Sequence, residues 1–242
     1  MVMTTTTPTT MTTDPDAFLS ALRLADSFLP VGGYTASYGL EQYLNEDKID
    51  DRDDLEAVIA AYLRRVVGPC ELVALSNAHA ASEANDLEAV RTVDERLHAV
   101  TMPREFRESS TKAGAKLSEL FLETDIEQGV ETTLATAVAT DETPGHYPVV
   151  FGVIAQSRGL SRRDACLAYA HSFVTGLLGA AQRLGRFGHT AIQSTLESLQ
   201  SVVTEVCEQY LESDVSAMAS FAPFAEIMGM RHERAGRRLF MS

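Results

Sequence analysis

The chain has 242 residues, 45% of them hydrophobic, enough to bury a sizeable core in one large domain without disulfide or metal staples. Aromatic residues make up 7% and there is no Trp, a balance that leans toward aliphatic helix packing. Against 34 acidic side chains stand 20 basic ones, and the field of a net charge of -14 excludes nucleic acid as a partner.

Residues 1–13 read as a disordered, Thr-rich tail, with neither the basic n-region nor the apolar h-region of a signal peptide. Asp14-Pro15 opens the first helix, an N-cap acceptor followed by Pro where its missing N–H costs nothing. Phe18, Leu19, Leu22 and Ala25 are its expected apolar face. Then comes the densest run of special-backbone residues, Leu24-Ala25-Asp26-Ser27-Phe28-Leu29-Pro30-Val31-Gly32-Gly33-Tyr34. Pro30 cannot continue a helix, and two adjacent glycines permit positive φ or close backbone approach, so a shaped turn is expected here. Ser37 and Gly39 lead into a short helix carrying Leu40, Glu41, Tyr43 and Leu44.

After Asp51, Leu55, Val58, Ile59, Tyr62, Leu63 and Val66 make a continuous helical face. Gly68-Pro69 is expected to interrupt it, with helix resuming from Glu71 to about Ala84. Further helices are expected at 86–100, 104–123, 127–139 and 148–158, the last ended by Gly159. Ser161 caps a long helix whose Cys166, Ala170, Phe173, Val174, Leu177, Leu178, Ala181 and Leu184 share a broad face. Gly176 and Gly179 within it suggest a close helix approach, in the core or across a dimer interface. The next helix spans about 189–211, with Ile192, Leu196, Leu199, Val203, Val206 and Tyr210 at heptad-like spacing. No stretch alternates with period two. The expected fold is all-α, a single-domain bundle of about eight to ten helices over 14–242, and no apolar run approaches the ~20 residues needed to cross a bilayer.

Catalytic and chelating patterns are missing from the sequence. It has no GxxxxGK[ST] loop, no GxSxG elbow and no HExxH. Asp26 and Ser27 could be imagined in a helical hydrolase, but Asp and Ser at a helix end more simply satisfy backbone groups. The six histidines are scattered, and the one local pair, His232-Glu233, is adjacent and cannot easily chelate one ion, so no tight metal site is expected. Cys70, Cys166 and Cys207 lie far apart in apolar patterns, fitting free thiols in a reducing, cytoplasmic compartment. Lysine occurs only at 48, 112 and 116. A chain that is acidic, lysine-poor and Thr-rich suits a salt-loving host, because at ~1 M salt a Debye length of about 3 Å stops carboxylates repelling one another. An ordinary acidic cytosolic protein fits the same balance. The C-terminal segment combines apolar Phe221, Phe224, Ile227, Met228, Leu239 and Phe240 with Arg231, Arg234, Arg237 and Arg238. It is the strongest interaction candidate, since an arginine fork suits a partner's carboxylates or phosphates.

Four ordered segments resemble the urease accessory protein UreF family: Leu24 to Glu41; Arg104-Glu105-Phe106-Arg107-Glu108-Ser109; His146-Tyr147-Pro148-Val149-Val150-Phe151-Gly152; and Met230-Arg231-His232-Glu233 with Arg238-Leu239-Phe240-Met241-Ser242. Arg186-Phe187-Gly188-His189 departs from the family's Pro-Leu-Gly-Gln turn. The resemblance implies a non-catalytic, all-helical adaptor, dimeric, that bridges the UreD/UreH accessory protein to the UreG GTPase for GTP-dependent delivery of Ni²⁺ to apo-urease. It implies no cofactor of its own, the GTP being bound by a partner. Direct activation of the GTPase is the alternative role. The residues it marks as partner-binding or structural are Asp26, Ser27, Pro30, Gly32, Gly33, Tyr34, Ser37, Glu41, Arg104, Arg107, Arg231, His232, Glu233, Arg238, Leu239 and Phe240.

Overall fold

A computed structural model describes residues 14–31, 38–124 and 129–234. The first helix, α1 (Pro15–Ala25), starts as its sequence dictates: Pro15 occupies the first turn and the Asp14 carboxylate accepts the Asp16 N–H at 3.2 Å. Its apolar face is not the expected one. Phe18, Leu19 and Leu22 are 53%, 61% and 53% exposed, while Ala17 and Leu24 are buried. The small side of α1 faces α9 (Arg162–Arg183), where alanines allow the two rods to approach closely, and the bulky residues are turned outward.

After α2 (Leu40–Asn45), Asp51 caps α3 (Arg52–Tyr62) by accepting the N–H groups of Asp53 and Asp54. Gly68-Pro69 does not interrupt the helical path beyond α3. The chain continues through a π-helical segment, Leu63–Leu72, directly into α4 (Val73–Glu83), so one rod passes through the centre of the protein. Pro69 has no N–H and in an α-turn would press on the carbonyl four residues earlier; a wider π-turn removes the conflict. The Arg65 carbonyl, to which Pro69 has no N–H to donate, accepts the Phe221 N–H at 3.4 Å, and the Pro69 carbonyl accepts the Ala219 N–H at 3.1 Å. Gly68 is required by packing: a Cβ there would lie 2.6 Å from the side chains of Val206 and Tyr210 on α10 (His189–Tyr210).

Around this rod stand α5 (Leu87–Val100), α6 (Arg104–Thr124), α7 (Val130–Ala139) and α8 (Tyr147–Ser157), joined by α9, α10, a 3-10 turn at Val215–Ala217 and α11 (Pro223–Arg234). The eleven described α-helices reduce to ten rods when α3 and α4 are counted with their π link as one. Among the described residues there is no strand, so the fold is all-α as expected. The most extensive pairing is α4 with α8, where Gly152 meets the Leu75 carbonyl so closely that a Cβ would sit 2.5 Å from the oxygen. Ser161 caps α9 by accepting the Asp164 N–H. Helices α9 and α10 are antiparallel, since Arg162 and Arg163 at the start of one pair with Glu212 and Glu208 at the far end of the other. A Cβ on Gly176 would meet nothing within 4 Å, so that position makes no close approach within the described chain. One continuous cluster of buried apolar residues runs from Ala17 to Met228. No described helix is long and apolar enough to cross a membrane.

Gly152→Ala is expected to lower stability by about 1–3 kcal/mol, because the clash is with backbone that cannot rotate away. Urea denaturation of the variant checks it; an unchanged midpoint would mean that α4 and α8 separate at little cost.

Candidate functional site

The last described helix, α11, meets α2 and α6. Tyr38 and Gly39 both take left-handed backbone, with φ of 48° and 77°. A Cβ on Gly39 would lie 3.1 Å from the Gly229 nitrogen, and one on Gly229 would lie 2.7 Å from the Phe106 ring. This pair of glycines lets α11 rest on the start of α2 and on α6. Tyr43 packs edge-on against Phe224 at 5.4 Å, and Arg231 bonds Glu46 at 2.8 Å. Tyr38 anchors the turn inward: its ring meets Phe106 and Phe173 at 5.5 and 5.0 Å, and its carbonyl accepts the Tyr62 hydroxyl.

The residues singled out by sequence fall in several places. Asp26 ends α1, its carboxylate accepting the Phe28 N–H at 2.9 Å, and Ser27 and Pro30 are exposed beside it. Glu41 is buried in the first turn of α2. Arg104 lies 3.6 Å from Glu108 on the surface. Arg107 donates to the carbonyls of Thr101 and Met102 at 2.6 and 2.7 Å, closing the C-terminal end of α5. Gly32, Gly33, Tyr34, Ser37, Arg238, Leu239 and Phe240, with the side chains of His232 and Glu233, lie outside the described residues. Of the motif residues, the structure therefore brings together the α2 turn and Arg231.

A polar cluster that the sequence reading missed lies between α5, α6 and the start of α8. Asp94 has no exposed surface and accepts three bonds, from Thr143 Oγ1 and Gly145 N at 2.6 Å and from His146 N at 2.9 Å. Burial raises its carboxyl above the usual range while these donors pull it back. His146 Nδ1 lies 3.0 Å from Ser110 Oγ, which accepts the Tyr147 N–H, and His146 Nε2 lies 3.1 Å from His98 Nδ1. Burial first, then His98 and Arg107, depress His146 to about 3. Its imidazole is neutral at physiological pH and too weak a base to activate Ser110. The only sequence signal was an acid, Asp94, in line with apolar Val90, Val93 and Leu97 on α5.

Next to this cluster is a cavity of about 30 Å³, bounded by Tyr38, Cys70, Glu71, Phe106, Ser110 and His146 and by Ser220, Ala225 and Glu226. It suits a water molecule rather than an organic substrate. Glu71, at the end of the π segment, accepts the Tyr169 hydroxyl at 2.9 Å; burial pushes its carboxyl up to about 7 despite that bond. The three cysteines are free and buried, and burial pushes the Cys70 and Cys207 thiols up to about 12, which keeps them poor nucleophiles. Among the described residues, no three His, Cys, Asp or Glu side chains converge to hold a metal ion.

The model of the UreF family matches residues 49–200, more than half of the chain. The chain belongs to the UreF family. It is 33% identical over 222 residues to a urease accessory protein UreF of Trichodesmium erythraeum, covering 92% of this chain and 95% of that one. A urease accessory protein UreF 1 of Brucella melitensis is 30% identical over 224 residues, 93% of this chain and 92% of its own. The UreF of Actinobacillus pleuropneumoniae is 27% identical over 221 residues, 91% and 97% of the two chains. The matched residues 49–200 include the polar cluster and Glu71.

Asp94→Ala strands three donors and is expected to destabilise the fold by roughly 3 kcal/mol or more, read as a lower urea midpoint. For Glu71 the sign is opposite to that of an ordinary paired carboxylate. Its folded value of about 7 exceeds the unfolded 4.5, so the folded state holds the extra proton and stability falls as pH rises from 4.5 to 7. Glu71→Gln should therefore raise the melting temperature at pH 8 and change it little at pH 4, below both values; equal shifts at both would contradict the assignment.

Proposed function

We propose that this UreF-family chain is a non-catalytic adaptor in urease maturation. It bridges the UreD/UreH accessory protein and the UreG GTPase, acts as a homodimer in the cytoplasm, and supports GTP-dependent insertion of Ni²⁺ into apo-urease. Nickel is cargo in this reading, and the GTP belongs to the partner. Family membership and the relatives named as urease accessory proteins supply the pathway.

The observation that supports the adaptor role is the placing of bulky apolar groups outside the core. Phe18, Leu19 and Leu22 stand exposed on α1, with Phe28 just beyond it, and Phe221, Phe224, Ile227 and Met230 stand exposed on and before α11. Clusters of this kind mark interaction sites, and aromatic members are the usual anchors. We assign the α1 face to self-association and the α11 face to partner recruitment. An adaptor of this type works by binding one state of its GTPase better than another, for which a few kcal/mol suffice.

Phe224→Asp with Ile227→Asp is expected to weaken capture of the accessory protein and GTPase by at least ~30-fold, about 2 kcal/mol or more, at high salt. Leu19→Asp with Leu22→Asp should convert dimer to monomer in light scattering, with the melting temperature nearly unchanged. GTP hydrolysis by the partner, with and without this protein, separates activation from bridging. If both double variants assemble and activate urease like the parent, these faces are ordinary surface and the assignment fails.

A further inference from the structure

We propose that the segment Met218–Arg234 is a proton-controlled latch, docked while the Glu71 carboxyl beneath it is neutral and loosened when that carboxyl ionises. The geometry points to this in three ways. First, the cavity is shared: Glu71, Tyr38 and Phe106 form its inner wall, and Ser220, Ala225 and Glu226 of the segment close it. Second, the segment and Glu71 hang on the same ten residues of backbone. Ala219 and Phe221 donate to the Pro69 and Arg65 carbonyls, two and six residues before Glu71. A change in hydration at Glu71 is thus felt at the segment's own attachment points.

Third, the docking is shallow. Met218, Ala225 and Met228 are buried, whereas Phe221, Phe224, Ile227 and Met230 project outward. The Arg231–Glu46 pair is on the surface, where such bonds contribute little. A segment with few buried contacts belongs to the low-stability end of a fold and opens before the rest.

The groups facing Glu71 leave its charge poorly compensated. From α9 the Tyr169 hydroxyl supplies one donor. Tyr38 and Tyr147 are phenols that burial holds neutral. His146, before α8, is neutral as well, and Arg107 on α6 commits a guanidinium nitrogen to the Thr101 and Met102 carbonyls. Arg96 on α5 acts on Cys70, the neighbour of Glu71. On the latch itself, Glu226 is the one titratable residue that lines the same cavity. An ionised Glu71 would need more water than about 30 Å³ can hold. Lifting the latch admits that water.

Hydrogen exchange of the full chain, alone, from pH 5.5 to 8.5 and corrected for intrinsic rates, tests the idea. Protection of the Ile227 to Arg231 amides should fall roughly tenfold per pH unit up to about pH 7 and then level, while α8 stays protected. Glu71→Gln should remove the fall. Tyr169→Phe, which takes away the donor to the ionised form, should move the levelling point to higher pH. Protection that does not change with pH in the parent, or a fall that persists in Glu71→Gln, overturns the latch. If Glu71→Gln does not fold, Tyr169→Phe decides, and a levelling point identical to the parent's overturns it equally.

Discussion

Everything central in this protein is arranged around one backbone conflict, Pro69 in the middle of a helical rod. A proline there must kink the helix, end it, or widen it, and the chain widens it into a π segment. The helical path therefore continues into α4, which buries itself against α8. Two carbonyls of this segment, those of Arg65 and Pro69, are acceptors for another part of the chain. Buried acceptors rarely go unpaired, and here Ala219 and Phe221 supply the N–H groups. The route from α10 to α11 is thus written into a defect in a helix about 150 residues earlier.

Glycine placement extends the same logic. Gly68 lets α10 approach the π segment, Gly152 lets α8 lie on the α4 backbone, and Gly39 with Gly229 lets α11 rest on α2. Each removes about one side-chain layer between rods. The small face of α1 does the same against α9, and the consequence is visible outside: the large residues of α1 have nowhere to go but the surface. Close internal packing and an exposed apolar face are two results of one arrangement.

The polar interior obeys a different rule. Asp94 ties the turn before α8 by taking three donors, which positions His146 between Ser110 and His98. A histidine held neutral in this way orders three elements without doing acid–base chemistry. Glu71 is the less settled member, with one hydroxyl donor, a cavity beside it and a thin segment over it. The contrast between a fully bonded carboxylate and a sparsely bonded one separates scaffold from moving part.

By itself the sequence determined what depends on local chemistry: the helical class, from the 3.6-residue repeats; the Asp14 and Ser161 starts, from their capping side chains; the buried free cysteines; and, through the ordered motifs at both ends, the UreF family. It misjudged Gly68-Pro69, because whether a proline ends a helix or widens it depends on what packs against that turn, and the segment that bonds to it lies at 219–221. It misjudged α1, because Phe18, Leu19 and Leu22 look like a core face until the smaller opposite side finds α9. The pairing of His98 with His146, and of Glu71 with Tyr169, crosses 48 and 98 positions of sequence and leaves no local pattern. Only the tertiary structure decided these, since burial and hydrogen-bond partners are properties of neighbours in space rather than of neighbours along the chain.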